Sequence, residues 1–405
     1  MKGILEDANR SLVSFNSVMI EYVSGMRLIK AYNMGSRSFQ KFSHAISEEN
    51  RIWNLVTHKT APPYAAFLLL VECGMLLMIP AGGLMFLRGS VSASVFLLFA
   101  YVGGMYLTEI LPLQKMSTTF AQALSGVGKV REILELPVFE GGGPFPEDHG
   151  IELDHVTFSY AGTGAPSLSD ITFSAKKGST IGIIGGTGSG KSTLVDLIAR
   201  FYDAGSGTVT LDGQNVQTYS QKELREKIGV VPQKAALFQG TIRENLSWGR
   251  EDATDEEMWE ALTTAQAREI VEKKDGQLDF KLEQNGRNLS GGQRQRLTIA
   301  RALVKKPEIL ILDDSASALD FATDAALRKS LHQLGGNTTT FLVSQRAASI
   351  RQADLILVLD DGQLAGKGTH QELVSTCETY REIFFSQFPE ERIKYEKATG
   401  KEVLA

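Results

Sequence analysis

The stretch that decides the fold is TIGIIGGTGSGKST, at residues 180–193. The largely apolar run TIGIIG is typical of a buried strand, and LVDLIARFY after the glycine-rich loop is typical of a helix. Between them, Gly185, Gly190, Lys191 and Ser192 satisfy the pattern G-x-x-x-x-G-K-[ST]. The sequence therefore predicts a strand, a phosphate-binding loop and a helix in direct succession.

Each residue type in this loop has a chemical reason to be there. Glycines let the backbone wrap around phosphate groups, and the helix N-terminus adds a partial positive charge. Lys191 reaches the β- and γ-phosphates of a nucleotide, and the Ser192 hydroxyl ligates Mg²⁺. We expect the nucleotide to contact the whole loop, which consists of Gly185, Gly186, Thr187, Gly188, Ser189, Gly190, Lys191, Ser192 and Thr193.

A second informative stretch is ILILDDSASALD, at residues 309–320. Four aliphatic residues that end in a carboxylate predict a buried parallel strand that carries an acid to a magnesium site, so Asp313 is a candidate metal ligand. Nucleotide hydrolases of this kind usually place a glutamate next. Here the next residue is Asp314, whose carboxylate has one methylene less with which to reach an attacking water.

The surrounding region, 151–388, contains short strand-like runs between helical segments. The clearest runs are TIGIIG, KIGVVP, EILILD, TTFLVS and LILVLD. This alternation predicts an α/β domain with a mainly parallel sheet. Glycine and proline in EGGGPFPEDHG predict a linker at 137–150, and the polar residues at 389–405 predict a frayed tail.

The composition excludes several classes of protein. The 405 residues are 43% hydrophobic and 22% charged, which is enough for two or three folded domains. A net charge of −5 gives no basic field, so no nucleic-acid partner is expected. The two cysteines, Cys73 and Cys377, are too few for a disulfide framework or a zinc site.

Two apolar stretches, 64–87 and 91–113, predict a hairpin of membrane helices within a partial membrane domain at 1–136. The N-terminus lacks the apolar core of a cleavable signal peptide. Basic residues flank the hairpin on the side opposite Arg88 and predict that this side is cytoplasmic. They are Arg27, Lys30, Arg37, Lys41, Arg51, Lys59, Lys115, Lys129 and Arg131.

The segment NLSGGQRQR at 288–296, together with VVPQ ending at Gln233 and SALD at 317–320, resembles the ATP-binding cassette (ABC) family. The resemblance implies that two such domains pair head to tail and that each ATP, with Mg²⁺, lies between one domain's phosphate loop and the other's LSGGQ. The implied residues of that second contact are Ser290, Gly291, Gly292 and Gln293. It further implies that Tyr160 stacks on adenine and that Gln233 senses the γ-phosphate, contacts the metal and faces the membrane domain.

The hairpin before the cassette resembles the last two helices of an exporter half, whose membrane domain normally has six spans. The chain therefore resembles a fragment that lacks the N-terminal part of that domain, and the resemblance extends from residue 1 to about 388. It implies a multi-pass protein of the plasma membrane, in contact with lipid, with its nucleotide-binding domain in the cytoplasm. The transported substrate stays open among drugs, lipids, peptides and siderophores.

At the hydrolytic positions the sequence departs from the family. The family places a glutamate after the magnesium aspartate and a histidine after the next strand, whereas this chain has Asp314 and Gln345. Binding without efficient turnover is expected at this site, while the intact LSGGQ serves a partner, as in one half of a heterodimeric exporter. A slow homodimeric exporter is the second possibility; a soluble cassette protein acting on ribosomes or DNA, or an importer, agrees less well with the fused hairpin.

Overall fold

The computed structural model describes residues 2–32, 40–136, 150–161, 164–333 and 338–399. The chain divides into two compact units, Met1–Leu136 and Pro137–Ala405. Apart from Gly150, the predicted linker lies outside the described residues.

The described part of the first unit is helical. Its helices are α1 (Lys2–Ser24), α2 (Met26–Ala31), α3 (Gln40–Leu87) and α4 (Ala93–Leu134). Helices α1 and α3 pack together through the rings of Tyr22 and Phe42, which stack with centroids 4.5 Å apart. Between α3 and α4, Gly89 adopts a φ of +73°, and the Ser92 side chain caps the first turn of α4.

Both apolar stretches of this unit belong almost entirely to helices, 64–87 to α3 and 91–113 to α4. Several of their side chains, including those at 71–72 and 106–115, lie outside the described residues. Within the described part of the chain, no helix is long and apolar enough to cross a membrane. The prediction of two membrane spans is therefore not confirmed.

The second unit contains a six-stranded sheet of order β12-β11-β3-β10-β9-β6 and a four-stranded sheet of order β2-β1-β4-β5. Its strands are β1 (Ile151–Phe158), β2 (Leu168–Ala175), β3 (Thr180–Gly185), β4 (Ser206–Leu211), β5 (Gln214–Asn215), β6 (Ile228–Val231), β7 (Gly240–Thr241), β8 (Lys281–Leu282), β9 (Ile309–Asp313), β10 (Thr339–Val343), β11 (Leu355–Asp360) and β12 (Gln363–Gly368). Its α-helices are α5 (Lys191–Ile198), α6 (Gln221–Lys227), α7 (Ile242–Ser247), α8 (Asp255–Thr264), α9 (Arg268–Glu272), α10 (Gly291–Val304), α11 (Phe321–Gln333), α12 (Ala347–Ile350), α13 (His370–Thr376), α14 (Glu378–Gln387) and α15 (Pro389–Thr399). Short 3₁₀ turns occupy Val216–Thr218, Gln277–Asp279 and Gln284–Gly286.

The six-stranded sheet is the predicted mainly parallel sheet. Strands β11, β3, β10, β9 and β6 are parallel, and only β12 at the edge is antiparallel. Val343 in β10 is in register with Ile183 in β3 and with Asp313 in β9. Because parallel strands end at the same edge of a sheet, this register places the phosphate loop, the two aspartates and the segment after β10 side by side.

The polar tail is more ordered than predicted, because residues 389–399 form α15. Tyr395 of this helix packs against the ring of Phe385 with centroids 5.3 Å apart. Arg351 donates to both carboxylate oxygens of Glu391, at 2.9 and 3.1 Å. These tertiary contacts hold a helix whose sequence has no apolar face; residues 400–405 lie outside the description.

Candidate functional site

A cavity of about 470 Å³ opens at the carboxyl edge of the parallel sheet. Most of the predicted site residues line it. The lining consists of Tyr160, Pro166, Ser167, Thr187, Gly188, Gly190, Lys191, Ser192, Thr193, Gln233, Asp313, Asp314, Val343, Gln345, Asp361 and Gly362. Five separate stretches of sequence that carry predicted site residues therefore meet at one cavity.

Glycine is required at two points of the phosphate loop. A Cβ on Gly185 would lie 2.1 Å from the carbonyl oxygen of Leu359, which is closer than any real contact. Gly190 adopts a φ of +92° at the N-terminus of α5, and a Cβ there would lie 2.8 Å from the Ser167 carbonyl oxygen. The loop is consequently folded tightly between β3 and the neighbouring backbone, as close wrapping of phosphates requires.

Lys191 is buried at the centre of this loop. Its ammonium donates to the carbonyl oxygens of Gly185 and Gly186, at 3.0 and 2.5 Å. Burial lowers the pKa of Lys191, although the nearby carboxylates of Asp313 and Asp314 act in the opposite direction. The ammonium also donates to Ser189 Oγ at 3.4 Å. A buried ammonium held by these neutral oxygens is well placed to exchange them for a phosphate anion.

The magnesium candidates also meet in the cavity. The Ser192 hydroxyl donates to Asp313 Oδ1 at 3.1 Å. Burial, with the adjacent Asp314 charge, raises the pKa of the half-buried Asp313, and the Ser192 hydrogen bond opposes this shift. Two oxygen ligands about 3 Å apart fit neighbouring positions on Mg²⁺, whose ligand distances are about 2.0–2.1 Å. The pair therefore fits the metal that the loop implies.

No group of three or more His, Cys, Asp or Glu side chains suited to a metal occurs among the residues that the structure describes.

Asp314 and Gln233 form the next contact. The Gln233 side-chain amide donates to Asp314 Oδ2 at 3.1 Å. Asp314 has a φ of +43°, and its backbone amide donates to the Val343 carbonyl oxygen at 3.0 Å. The acid at the hydrolytic position is thus held by an unusual backbone conformation on one side and by a side-chain amide on the other.

Gln345 lies two residues beyond the end of β10 and lines the same cavity. Its backbone carbonyl accepts a hydrogen bond from the Gln387 side chain at 2.8 Å. Sequence reasoning missed Gln387, since a polar residue at the end of an amphipathic helix gives no signal of its tertiary partner.

Tyr160 lies two residues beyond β1, and its hydroxyl donates to Thr193 Oγ1 at 3.2 Å. Phe158 and Tyr202 present their rings edge-on to it, with centroids at 4.9 and 5.2 Å. The ring is consequently oriented beside the phosphate loop, where an adenine base could stack. Tyr202 was not singled out in the sequence, because an aromatic after a helix is more often a core residue.

The LSGGQ residues are not brought to the cavity. Ser290 caps α10, its Oγ accepts from the Gln293 amide at 3.3 Å, and the Gln293 side chain accepts from the Ser290 amide at 3.0 Å. A Cβ on Gly292 would lie 3.0 Å from the Ala318 carbonyl oxygen, so this glycine allows close contact with the SALD segment. Ser290 and Gly291 are exposed.

Comparisons with known proteins agree with this architecture. A family model described as ABC transporter matches residues 168–317. An uncharacterized ABC transporter ATP-binding protein of Mycobacterium bovis is 36% identical over 381 residues, which cover 92% of this chain and 65% of that protein. The uncharacterized ABC transporter ATP-binding protein YfiB of Bacillus subtilis is 36% identical over 395 residues, which cover 96% of this chain and 68% of YfiB.

One solved structure matches nearly the whole chain. It is described as a bacterial Atm1-family ABC exporter with ATP bound, and it superposes with a TM-score of 0.79 at 25% identity. The match covers 95% of this chain and 70% of the exporter chain. The present chain therefore spans only 65–70% of the length of these three proteins.

Proposed function

The chain belongs to the ABC transporter family, and from that premise we propose that it is one half of an ATP-driven exporter in the plasma membrane. The helical first unit and the likeness to an exporter structure over 95% of the chain support this proposal. Between α3 and α4 lies an apolar cleft of about 310 Å³, lined by residues such as Met78, Met85, Phe96 and Phe99. Such a surface suits lipid, and the transported molecule stays open among drugs, lipids, peptides and siderophores.

The proposed ligand of the cassette is MgATP. The observation that carries this assignment is the convergence of Lys191, Ser192, Asp313 and Tyr160 on one cavity. Lys191 binds the β- and γ-phosphates, Ser192 and Asp313 hold the metal, and Tyr160 stacks on the base. The Gln233 side chain adds a metal contact once it leaves Asp314. Bound Mg²⁺ would neutralise charge that develops on the phosphate oxygens.

Hydrolysis at this chain's own site is proposed to be weak. The Asp314 side chain is one methylene shorter than a glutamate, so its carboxylate lies further from the attacking water that it orients. Gln345 offers an uncharged amide where the family has an imidazole. A misplacement of about 1 Å costs on the order of 10²-fold in rate. The contact between Gln233 and Asp314 adds a competitor for the same carboxylate.

The LSGGQ residues are proposed to serve a second cassette. Ser290 and Gly291 are exposed at the N-terminus of a 14-residue helix, where backbone amides favour an anion. Since these residues do not line the cavity of their own chain, the ATP that they contact must be held by another chain. A partner with glutamate and histidine at the hydrolytic positions would form the active site with Ser290, Gly291, Gly292 and Gln293.

A homodimer with slow hydrolysis is the second candidate, because this one chain carries both a complete phosphate loop and an intact LSGGQ. A non-transport ABC ATPase is less well supported, since it leaves the helices of the first unit without a role. Both alternatives retain nucleotide binding and differ in the partner.

The test is to purify the chain in a lipid nanodisc, titrate it with MgATP and measure phosphate release alone and with an exporter half from the same genome. We expect binding without appreciable release for the chain alone, and release in the mixed complex. Slow release by the chain alone that the second exporter half does not increase would favour the homodimer, and absence of binding would refute the nucleotide assignment.

A further inference from the structure

Gln387, at the C-terminal end of α14, makes hydrogen bonds with two backbone groups of the segment that follows β10. Its Nε2 donates to the backbone carbonyl oxygen of Gln345 at 2.8 Å. Its Oε1 accepts from the backbone amide of Ala347 at 2.8 Å. One side-chain amide therefore fixes two peptide groups, and these flank the residue between Gln345 and α12.

Helix α12, which starts at Ala347, is anchored independently at other points. The Ser349 hydroxyl donates to Asp324 Oδ2 at 2.9 Å, and Asp324 in α11 is only 2% exposed. Arg351, which caps the C-terminus of α12, pairs with Glu391 of α15. At the N-terminal approach of α12, the Arg346 guanidinium donates to the carbonyl oxygens of Leu319 and Ser317, at 3.1 and 3.3 Å. Gln387 adds to this anchor the hydrogen bond to the Gln345 carbonyl itself.

Gln387 contributes little to the packing of its own helix. It is exposed, whereas Tyr380, Phe384 and Phe385 of α14 are buried in the adjacent core. Removing its two hydrogen bonds should therefore leave α14 in place and loosen the Gln345 peptide, while Arg346 keeps its own contacts.

We propose that Gln387 is a positioning residue that sets Gln345 at the distance from which its side chain contacts the γ-phosphate. This rests on the proposed function, since it requires that the cavity binds ATP. Gln345 lines the cavity, and its peptide carbonyl is the group that Gln387 holds. The C-terminal helices thereby determine how well the site distinguishes a triphosphate from a diphosphate.

The test compares the purified full chain with Gln387→Met, which removes both hydrogen bonds, and Gln387→Glu. The glutamate keeps an acceptor for Ala347 and places an oxygen against the Gln345 carbonyl. Ser386→Ala is the matched control, because the Ser386 hydroxyl donates within its own helix, to the Ile383 carbonyl oxygen at 2.8 Å. Isothermal titration with MgADP and with the non-hydrolysable Mg-AMP-PNP gives two dissociation constants for each protein.

Both variants should weaken Mg-AMP-PNP binding by about fivefold, the worth of roughly one hydrogen bond, and MgADP binding by less than about twofold. Amide exchange at Ala347 should become faster in Gln387→Met, and the control should match the parent chain. An unchanged ratio of the two dissociation constants, whether affinity for both nucleotides falls equally or not at all, would overturn the proposal. If the parent chain bound neither nucleotide, the proposed function itself would fail.

Discussion

The side-chain amide of Gln233 donates to Asp314 Oδ2 at 3.1 Å, although the two residues lie 81 positions apart in the chain. Both are proposed to act on the γ-phosphate side of the nucleotide, and in this structure their side chains are hydrogen-bonded to each other. Asp314 is additionally fixed by the hydrogen bond from its backbone amide to Val343. The Gln233 amide takes one acceptor position at Oδ2 and so competes with an attacking water for this carboxylate, which gives a second physical reason for slow turnover.

Lys191→Ala should abolish MgATP binding. The ammonium is buried, and a charge-assisted hydrogen bond is worth about 1.5–3 kcal/mol, so losing its bonds to two phosphates should weaken binding by about 100-fold or more. Titration calorimetry on the purified chain measures this directly. Lys222→Ala is the control, because Lys222 is exposed and pairs only loosely with Glu226, at 3.9 Å. Equal affinities in the two variants would show that the phosphates bind elsewhere.

Asp314→Glu combined with Gln345→His should raise turnover at this chain's own site. The longer side chain restores the reach of the carboxylate, and the imidazole restores a cationic hydrogen-bond donor. We expect a gain on the order of tenfold or more in phosphate release, measured in a complex whose partner site has lost its own acid. Each single variant serves as a control. No gain in the double variant would place the defect outside these two positions, for instance in the partner's signature.

His370 should make the stability of the cassette fall in acid. It is bonded to the Tyr380 hydroxyl at 2.8 Å, and burial, followed by the charge of Arg351, lowers its pKa from 6.5, while Glu391 opposes this. Below about pH 6.5 the unfolded chain binds a proton that the folded chain resists, so stability decreases as the pH falls. Chemical denaturation at about pH 7.5 and about pH 5.5 should show a smaller decrease for His370→Gln than for the parent.

His155→Gln provides a control, because the pKa of His155 is shifted in the direction opposite to that of His370. The hydrogen bond that the His155 ring donates to the Asp170 carboxylate is the main cause that raises the pKa of His155. Its stabilisation is therefore present below 6.5 and is lost as the pH rises through the folded value. The variant should therefore lose more stability at about pH 5.5 than at about pH 8. The effect should be small, because the pair is exposed. Parallel pH profiles for both histidine variants would contradict the assigned shifts.

The local pattern of apolar residues in the sequence predicted the parallel sheet well and the rest of the second unit poorly. Buried strands such as Ile309–Asp313 are continuous apolar runs, which a sequence displays directly. Strand β1 alternates exposed and buried residues and breaks register around His155, whose φ is +49°. Such a strand belongs to the antiparallel sheet, and its irregular alternation gave no clear signal.

The same distinction applies to the site. Lys191, Asp313 and Asp314 lie in motifs with fixed local spacing, and the structure places all three at one cavity. Gln387 and Asp324 act on the segment beside that cavity only through contacts 42 and 25 residues away in sequence. A single sequence contains no periodicity or motif that reports such pairs, because they depend on how α11 and α14 pack around α12.

The final prediction separates the two roles of this chain in a heterodimer. Ser290 lies at an exposed helix N-terminus and, in the proposed heterodimer, would contact the partner's hydrolysed ATP. Asp314 lines this chain's own cavity, where the retained ATP would bind. Ser290→Arg should therefore suppress most phosphate release of the complex, since a bulky side chain replaces the hydroxyl at the anion-binding turn. Asp314→Asn should reduce release only modestly, because little of the total turnover occurs at that site.

The comparison requires both variants in the same purified complex, with the partner unchanged and phosphate release measured at saturating MgATP. Ser386→Ala again serves as the control for handling and assembly, since the Ser386 hydroxyl donates within α14, to the Ile383 carbonyl oxygen. Equal damage from Ser290→Arg and Asp314→Asn would mean that this chain's own acid takes part in the main hydrolytic step. In that case the slow homodimer, in which every site has Asp314 and receives Ser290 from an identical chain, becomes the better description.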